Sequence, residues 1–186
     1  MIIGLDTETT GLNPELDRII ELSMGAYEDD GKFIKNLTLR FNPERPIDPR
    51  AQAVHGISIE ELYDKPKFGE CADEILAMLN SAKLVVIHNA AFDVPFVSNE
   101  LLRCGRQLPT TFVYDTLQSR WATPTGKVPK LSELCWSLDV DYQPQLAHSA
   151  DYDVSVMMQC FFTMAQCPDL LTCRPKPFNS IKGKSK

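Results

Sequence analysis

Apolar and polar positions alternate or cluster in ways that divide this chain into short elements. The run Met1-Ile2-Ile3-Gly4-Leu5 and the segments at 19–28 and 32–42 predict three strands, with Asp29-Asp30-Gly31 as a hairpin turn between the last two. Residues 43–67 carry four prolines and read as a long connection, with a short helix over 59–63. Ala72, Ile75, Leu76 and Leu79 recur at helical spacing within 69–82. A strand at 84–88 and a helix at 91–104 follow. Pro95 is tolerable only in a first turn, which places the start of that helix near Asp93. A short strand at 112–116 precedes helical stretches at 116–122 and 130–138. A final helix at 149–166 buries Val154, Met157, Met158, Phe161 and Phe162. The order β-β-β-α-β-α-β-α predicts an α/β fold. Its mixed five-stranded sheet joins an antiparallel meander to parallel strands flanked by helices.

Three of these elements end in acids. Leu5 leads into Asp6-Thr7-Glu8-Thr9-Thr10-Gly11-Leu12. The run Leu84-Val85-Val86-Ile87 leads into His88-Asn89-Ala90-Ala91-Phe92-Asp93. The last helix begins at His148-Ser149-Ala150-Asp151-Tyr152-Asp153. In extended backbone Asp6 and Glu8 point the same way, with Cα atoms about 6–7 Å apart. Carboxylates at the ends of buried strands are costly without a compensating charge. Two divalent cations with a preference for oxygen ligands, Mg²⁺ or Mn²⁺, are the expected compensation. Asp93 also suits a helix first turn, where the dipole favours an acid. Asp151 and Asp153 lie about 200° apart around a helix, so only one can face the cluster. Val154 and Met157 follow on the apolar side and select Asp153. His148 is expected on the preceding loop, with Ser149 as N-cap. An imidazole there titrates near neutrality and suits a general base. His55 and His88 are expected to act as positioning groups. Together these residue types suit in-line attack of water on a phosphodiester, with cations stabilising the leaving oxygen and His148 removing the water's proton.

Composition narrows the picture. With 186 residues, 44 % hydrophobic and 24 % charged, the chain is expected to form one domain over 1–167. A basic, flexible tail is expected over 168–186. The tail carries +4, which leaves −10 on the rest of a chain whose net charge is −6. An acidic body argues against a broad basic nucleic-acid surface, although bound cations would invert the sign locally. The six cysteines include no C-x-x-C pair, so neither a zinc site nor a disulfide framework is expected. With no basic leader and no membrane-length apolar run, the expected compartment is the cytoplasm, away from any membrane.

Asp6-x-Glu8, His88-Asn89-x-x-Phe92-Asp93 and His148-x-Ala150-x-x-Asp153 resemble the three motifs of the DEDDh 3′→5′ exonucleases. Among these, the proofreading epsilon subunits of bacterial DNA polymerase III and their stand-alone relatives are the most similar. Val54-His55-Gly56-Ile57 and Asp64-Lys65-Pro66 add to the likeness, which covers residues 1–166. A sister branch carries tyrosine four residues before the last aspartate; here that position is Ser149, which favours the histidine branch. The resemblance implies a ribonuclease H-like fold. It implies that Asp6, Glu8, Asp93 and Asp153 bind the metals and that His148 is the base. Thr9, Thr10, Leu12, His55, Asn89 and Phe92 would surround the terminal nucleotide. The implied activity is release of nucleoside 5′-monophosphates from single-stranded or frayed DNA 3′ ends, in proofreading or repair, with a replication polymerase as possible partner. RNA trimming is the alternative within the class. A non-catalytic nucleic-acid-binding module is the alternative outside it.

Overall fold

The computed structural model describes residues 1–183; Lys184, Ser185 and Lys186 of the expected tail lie outside the described residues. Strands β1 (Ile2–Thr9), β2 (Ile19–Tyr27) and β3 (Phe33–Arg40) form the meander. Helix α1 (Pro49–His55) and a 3₁₀ turn at Glu60–Leu62 follow. Then come α2 (Phe68–Ser81), β4 (Leu84–Ile87), α3 (Ala90–Arg103) and β5 (Phe112–Asp115). Two 3₁₀ turns, Thr116–Gln118 and Arg120–Ala122, replace the helix expected at 116–122. Helices α4 (Leu131–Ser137) and α5 (Ala150–Ala165) close the body.

The sheet is mixed but has six strands rather than five, in the order β3-β2-β1-β4-β5-β6. The sixth, β6 (Lys176–Pro177), comes from the segment read as a flexible tail and pairs antiparallel with β5. Phe178 follows it into the core, fully buried, and its amide donates to the Thr111 carbonyl at 2.9 Å. One buried phenylalanine in a Pro- and Lys-rich stretch has no periodicity to announce it. Its burial nevertheless binds the segment to the body.

Side chains alternate across the sheet and build two cores. Ile3, Leu5, Leu22, Met24, Val85 and Ile87 pack with α2 and α3. Ile2, Val86 and Tyr114 pack with α4 and α5. Gly4 and Gly25 are register partners on β1 and β2. A Cβ on Gly4 would lie 2.6 Å from Met158 Cγ, and one on Gly25 would lie 3.0 Å from Val154 Cγ1. The two glycines thus let α5 lie close against the sheet.

Helix α3 begins at Ala90, earlier than Pro95 suggested. Asn89 adopts left-handed backbone (φ 83°), and its amide donates to Asp115 Oδ1 at 3.0 Å. Phe92 N then bonds to Asn89 O at 2.8 Å. This anchoring to β5 starts the helix despite Pro95, which leaves the Ala91 carbonyl without its i+4 donor. Helix α1 fills part of the proline-rich connection. Asp48 caps it, with its carboxylate accepting from Arg50 N at 2.8 Å.

Phe178→Ala should lower stability by about 3–5 kcal/mol in urea unfolding followed by circular dichroism. A loss below about 1 kcal/mol would mark the 176–183 segment as peripheral.

Candidate active site

Strand β1 outruns its parallel neighbour. Its pairing with β4 covers only Ile2, Ile3 and Gly4, whereas its pairing with β2 continues to Thr9. The free stretch therefore opens a crevice at the carboxyl end of β4, a usual place for a site in sheets of this kind. Asp6 and Glu8 lie on this stretch, on the face covered by α5. Thr7 faces the other way, where Asp93 from α3 takes over the role of a strand partner. Asp93 Oδ1 accepts from Thr7 N at 3.1 Å and from Thr7 Oγ1 at 2.7 Å.

Asp153 arrives on the first turn of α5, and its Oδ2 accepts from His148 N at 3.1 Å. Asp151 is exposed and takes the Ser149 hydroxyl at 2.5 Å. Ser149 makes no side-chain bond to the helix amides, so the expected capping is absent. Glu8, His148 and Asp153 each offer a ligand atom within 4.8 Å of the others. Asp6 is half-buried. Burial comes first among the causes that hold its carboxyl well above the usual range, followed by repulsion from Asp93, Glu8, Asp153 and Glu21. Asp6 thus feels the charge of the other three acids, although the group whose ligand atoms could share one ion holds only Glu8, His148 and Asp153.

The cluster lacks compensation. Burial, then Asp153, Glu21 and Asp93, push Glu8 up to about 8. Burial raises Asp93 to about 7 despite the opposing Thr7 bonds, and burial also raises Asp153. Asp153 Oδ1 is buried with no hydrogen-bond partner among the described residues. Oxygen donors raised by burial, with repulsion added at Asp6 and Glu8 and one oxygen orphaned, fit divalent cations well.

A cleft of about 520 Å³ opens beside the acids, lined by Glu8, Thr9, Leu12, Arg50, His55 and Phe92 among others. Leu12 stands 76 % exposed at its mouth. A smaller hollow of about 130 Å³ adjoins it between Leu12, Asn89, Ala91, Phe92 and Gly183. Phe92 is braced by Phe96, ring centroids 5.0 Å apart. His55 Nδ1 accepts from Ile57 N at 3.0 Å, which leaves the proton of the neutral ring on Nε2. Burial lowers its pKa and favours that neutral form. Asn89 Oδ1 is buried and unpartnered among the described residues.

Two expected nucleotide contacts are turned to other work. Thr10 is almost fully buried; its hydroxyl donates to Asp17 Oδ1 at 3.2 Å and accepts from Arg18 N at 3.0 Å. It holds the β1–β2 loop and does not line the cleft; β1 ends at Thr9, so strand alternation no longer sets where Thr10 points. Thr9 lines the cleft, but its hydroxyl is committed to the Gly11 carbonyl at 2.6 Å. His88 sits apart from the acids, with Nδ1 2.9 Å from Thr116 Oγ1.

Sequence reasoning missed Glu21, Arg40 and Asp115. Glu21 stands alone in a strand that is otherwise apolar and buried, and a charge in such a run demands a partner. Arg40 is that partner: its Nε donates to Glu21 Oε2 at 2.6 Å.

The chain is similar to known proteins in sequence and in fold. The sequence profile of the exonuclease family, RNase_T, matches residues 3–161. The chain belongs to this exonuclease family. It is 36 % identical over 173 residues to the DNA polymerase III subunit epsilon of Escherichia coli K12, covering 87 % of this chain and 70 % of that one. Its fold matches the zinc-bound form of an E. coli exonuclease I–single-stranded DNA complex. The TM-score is 0.77 at 19 % identity, covering 91 % of this chain and 41 % of that one. This exonuclease thus spans about two fifths of the exonuclease I chain. It also matches exonuclease X bound to 5′-overhanging duplex DNA, with TM-score 0.64 and 23 % identity, covering 92 % of this chain and 99 % of that one. These neighbours are ribonuclease H-like exonucleases, the fold class expected from the motifs. Among the described residues, no helix of this exonuclease is long and apolar enough to cross a membrane.

The crowded acids make a pH prediction. Unfolded, the Glu8 carboxyl releases its proton near 4.5; folded, it holds it to about 8. The folded state binds more protons across that window, so stability falls as pH rises through it. In EDTA, the melting temperature should drop more between pH 5 and pH 8 for wild type than for Glu8→Gln, by on the order of 5 °C. Excess Mn²⁺ should remove the difference in slope. Equal slopes in EDTA would show that Glu8 ionises freely.

Proposed function

We propose that this exonuclease hydrolyses the terminal phosphodiester at the 3′ end of single-stranded or frayed DNA and releases nucleoside 5′-monophosphates. The observation that carries this reading is the uncompensated acid cluster, with its orphaned Asp153 oxygen, at the edge of an apolar cleft. Asp6, Glu8, Asp93 and Asp153 hold two divalent cations, Mg²⁺ or Mn²⁺. Once bound, such cations acidify water and neutralise charge on the scissile phosphate. Thr7 holds Asp93 in place. His148, on left-handed backbone (φ 64°), keeps its ring outside the helix and beside Glu8 and Asp153. It removes the proton of the attacking water.

The terminal nucleotide occupies the cleft. Leu12 wedges against its base, Phe92 packs beneath it, and His55 and Asn89 offer hydrogen bonds. Apolar wedging ignores base identity, which suits a proofreading or repair enzyme. DNA is favoured over RNA because the similar proteins named above are a DNA polymerase subunit and exonucleases held with DNA. A replication polymerase in the cytoplasm is the partner most consistent with the epsilon likeness.

A 5′-labelled single-stranded DNA should shorten stepwise from its 3′ end in Mg²⁺ or Mn²⁺ and stay intact in EDTA. Faster digestion of a matched RNA strand would transfer the substrate assignment to RNA. Asp6→Ala and Asp153→Ala should abolish release. His148→Ala should cut kcat by about 10²–10⁴-fold. Its DNA affinity, measured in Ca²⁺, should stay within about threefold of wild type. Wild-type kcat in His148→Ala would remove the base assignment.

A further inference from the structure

Glu21 lies mid-strand on β2, 4 % exposed, directly across from Glu8 on β1 and from Arg40 on β3. Both its oxygens are engaged. Oε2 accepts from Arg40 Nε at 2.6 Å, and Oε1 accepts from Ala150 N at 3.3 Å, a contact that joins residues 129 apart. Arg40 is held in turn by Glu61, 3.4 Å from its guanidinium. Ala150 is the first residue of α5 and fully buried. A helix leaves its first amides without partners inside the helix, and Ser149 supplies none here. The sheet supplies one instead.

The consequence reaches the acid cluster. Ala150 sits between His148 and Asp153, which are joined by the His148 N to Asp153 Oδ2 bond. Residues 148–153 therefore form one short hydrogen-bonded unit, and Glu21 ties it to the strand beside Asp6 and Glu8. On the roles assigned above to Asp153 and His148, we propose that Glu21 is a positioning residue. It fixes the start of α5 so that Asp153 and His148 face the metal cluster, and Arg40 partly offsets the charge it adds there. Each Glu21 oxygen already accepts a hydrogen bond within the fold, so the role proposed is positioning rather than ligation.

Two substitutions separate this role from its rivals. Glu21→Gln keeps an oxygen that can accept from Ala150 N. Glu21→Asp keeps the charge but shortens the reach. In Glu21→Asp, amide hydrogen exchange at 150–152 should accelerate by about tenfold or more. Mn²⁺ affinity by calorimetry and kcat on single-stranded DNA should each fall about 10–100-fold. KM should remain within about twofold. Glu21→Gln should stay within about threefold of wild type in all four measurements. The opposite order, with Gln impaired and Asp normal, would make Glu21 a charge or a ligand and overturn the proposal. So would equal behaviour of the two variants, whether both match wild type, both fail alike or both unfold. A wild-type protein that releases no nucleotide would sink the proposed function instead; exchange and Mn²⁺ binding would still judge Glu21.

Discussion

Negative charge held out of water without an internal cation is the constraint on which this structure turns. Asp6, Glu8, Asp93 and Asp153 come from three separate segments and meet where β1 runs past the end of β4. Burial raises all four, repulsion within the cluster adds to it at Asp6 and Glu8, and His148 eases Asp153. Such an assembly is unfavourable in itself. It persists because the rest of the fold holds it, and the proposed divalent cations would relieve it.

The holding is distributed. Gly4 and Gly25 let α5 press against the sheet, which brings Asp153 over Asp6. On the opposite face, Arg18 grips the fully buried Glu100 of α3 through two bonds of 2.6 and 2.8 Å. That pair fastens α3 to the start of β2, and α3 carries Asp93. Removing one partner of such a buried pair strands the other, so it locks the helix in place more than it adds net stability. Thr7 then completes the alignment by bonding Asp93 directly. The crevice is thus built from two helices anchored independently to a rigid sheet, a sound basis for precise ligand geometry.

Much of the fold was legible because periodicity is a local property. The three meander strands, the turn at Asp29-Asp30-Gly31, α2 and α5 all follow from spacing, with boundaries shifted by one or two residues except at the end of β1, which runs on to Thr9. Where the reading departed, a contact distant in sequence had decided the outcome. Asp115 reaches Asn89 and starts α3 before Pro95. Phe178 finds the core and makes a sixth strand of a stretch that looks disordered. Strand β1 ends at Thr9, and bonds to Asp17 and Arg18 hold Thr10 out of the cleft, though its residue type and position suggested a nucleotide contact.

The acids and the histidine were named by the sequence alone, because their spacing at the ends of apolar runs reflects a chemical need that no core explains. Which other groups support them was settled only in three dimensions. Glu21 reads as one acid in a buried strand until Arg40 and Ala150 are seen on either side of it. Hydrogen bonds that link residues more than a hundred positions apart leave no periodic trace. The chain therefore displays its candidate ligands openly, and its tertiary packing alone determines how they are aimed.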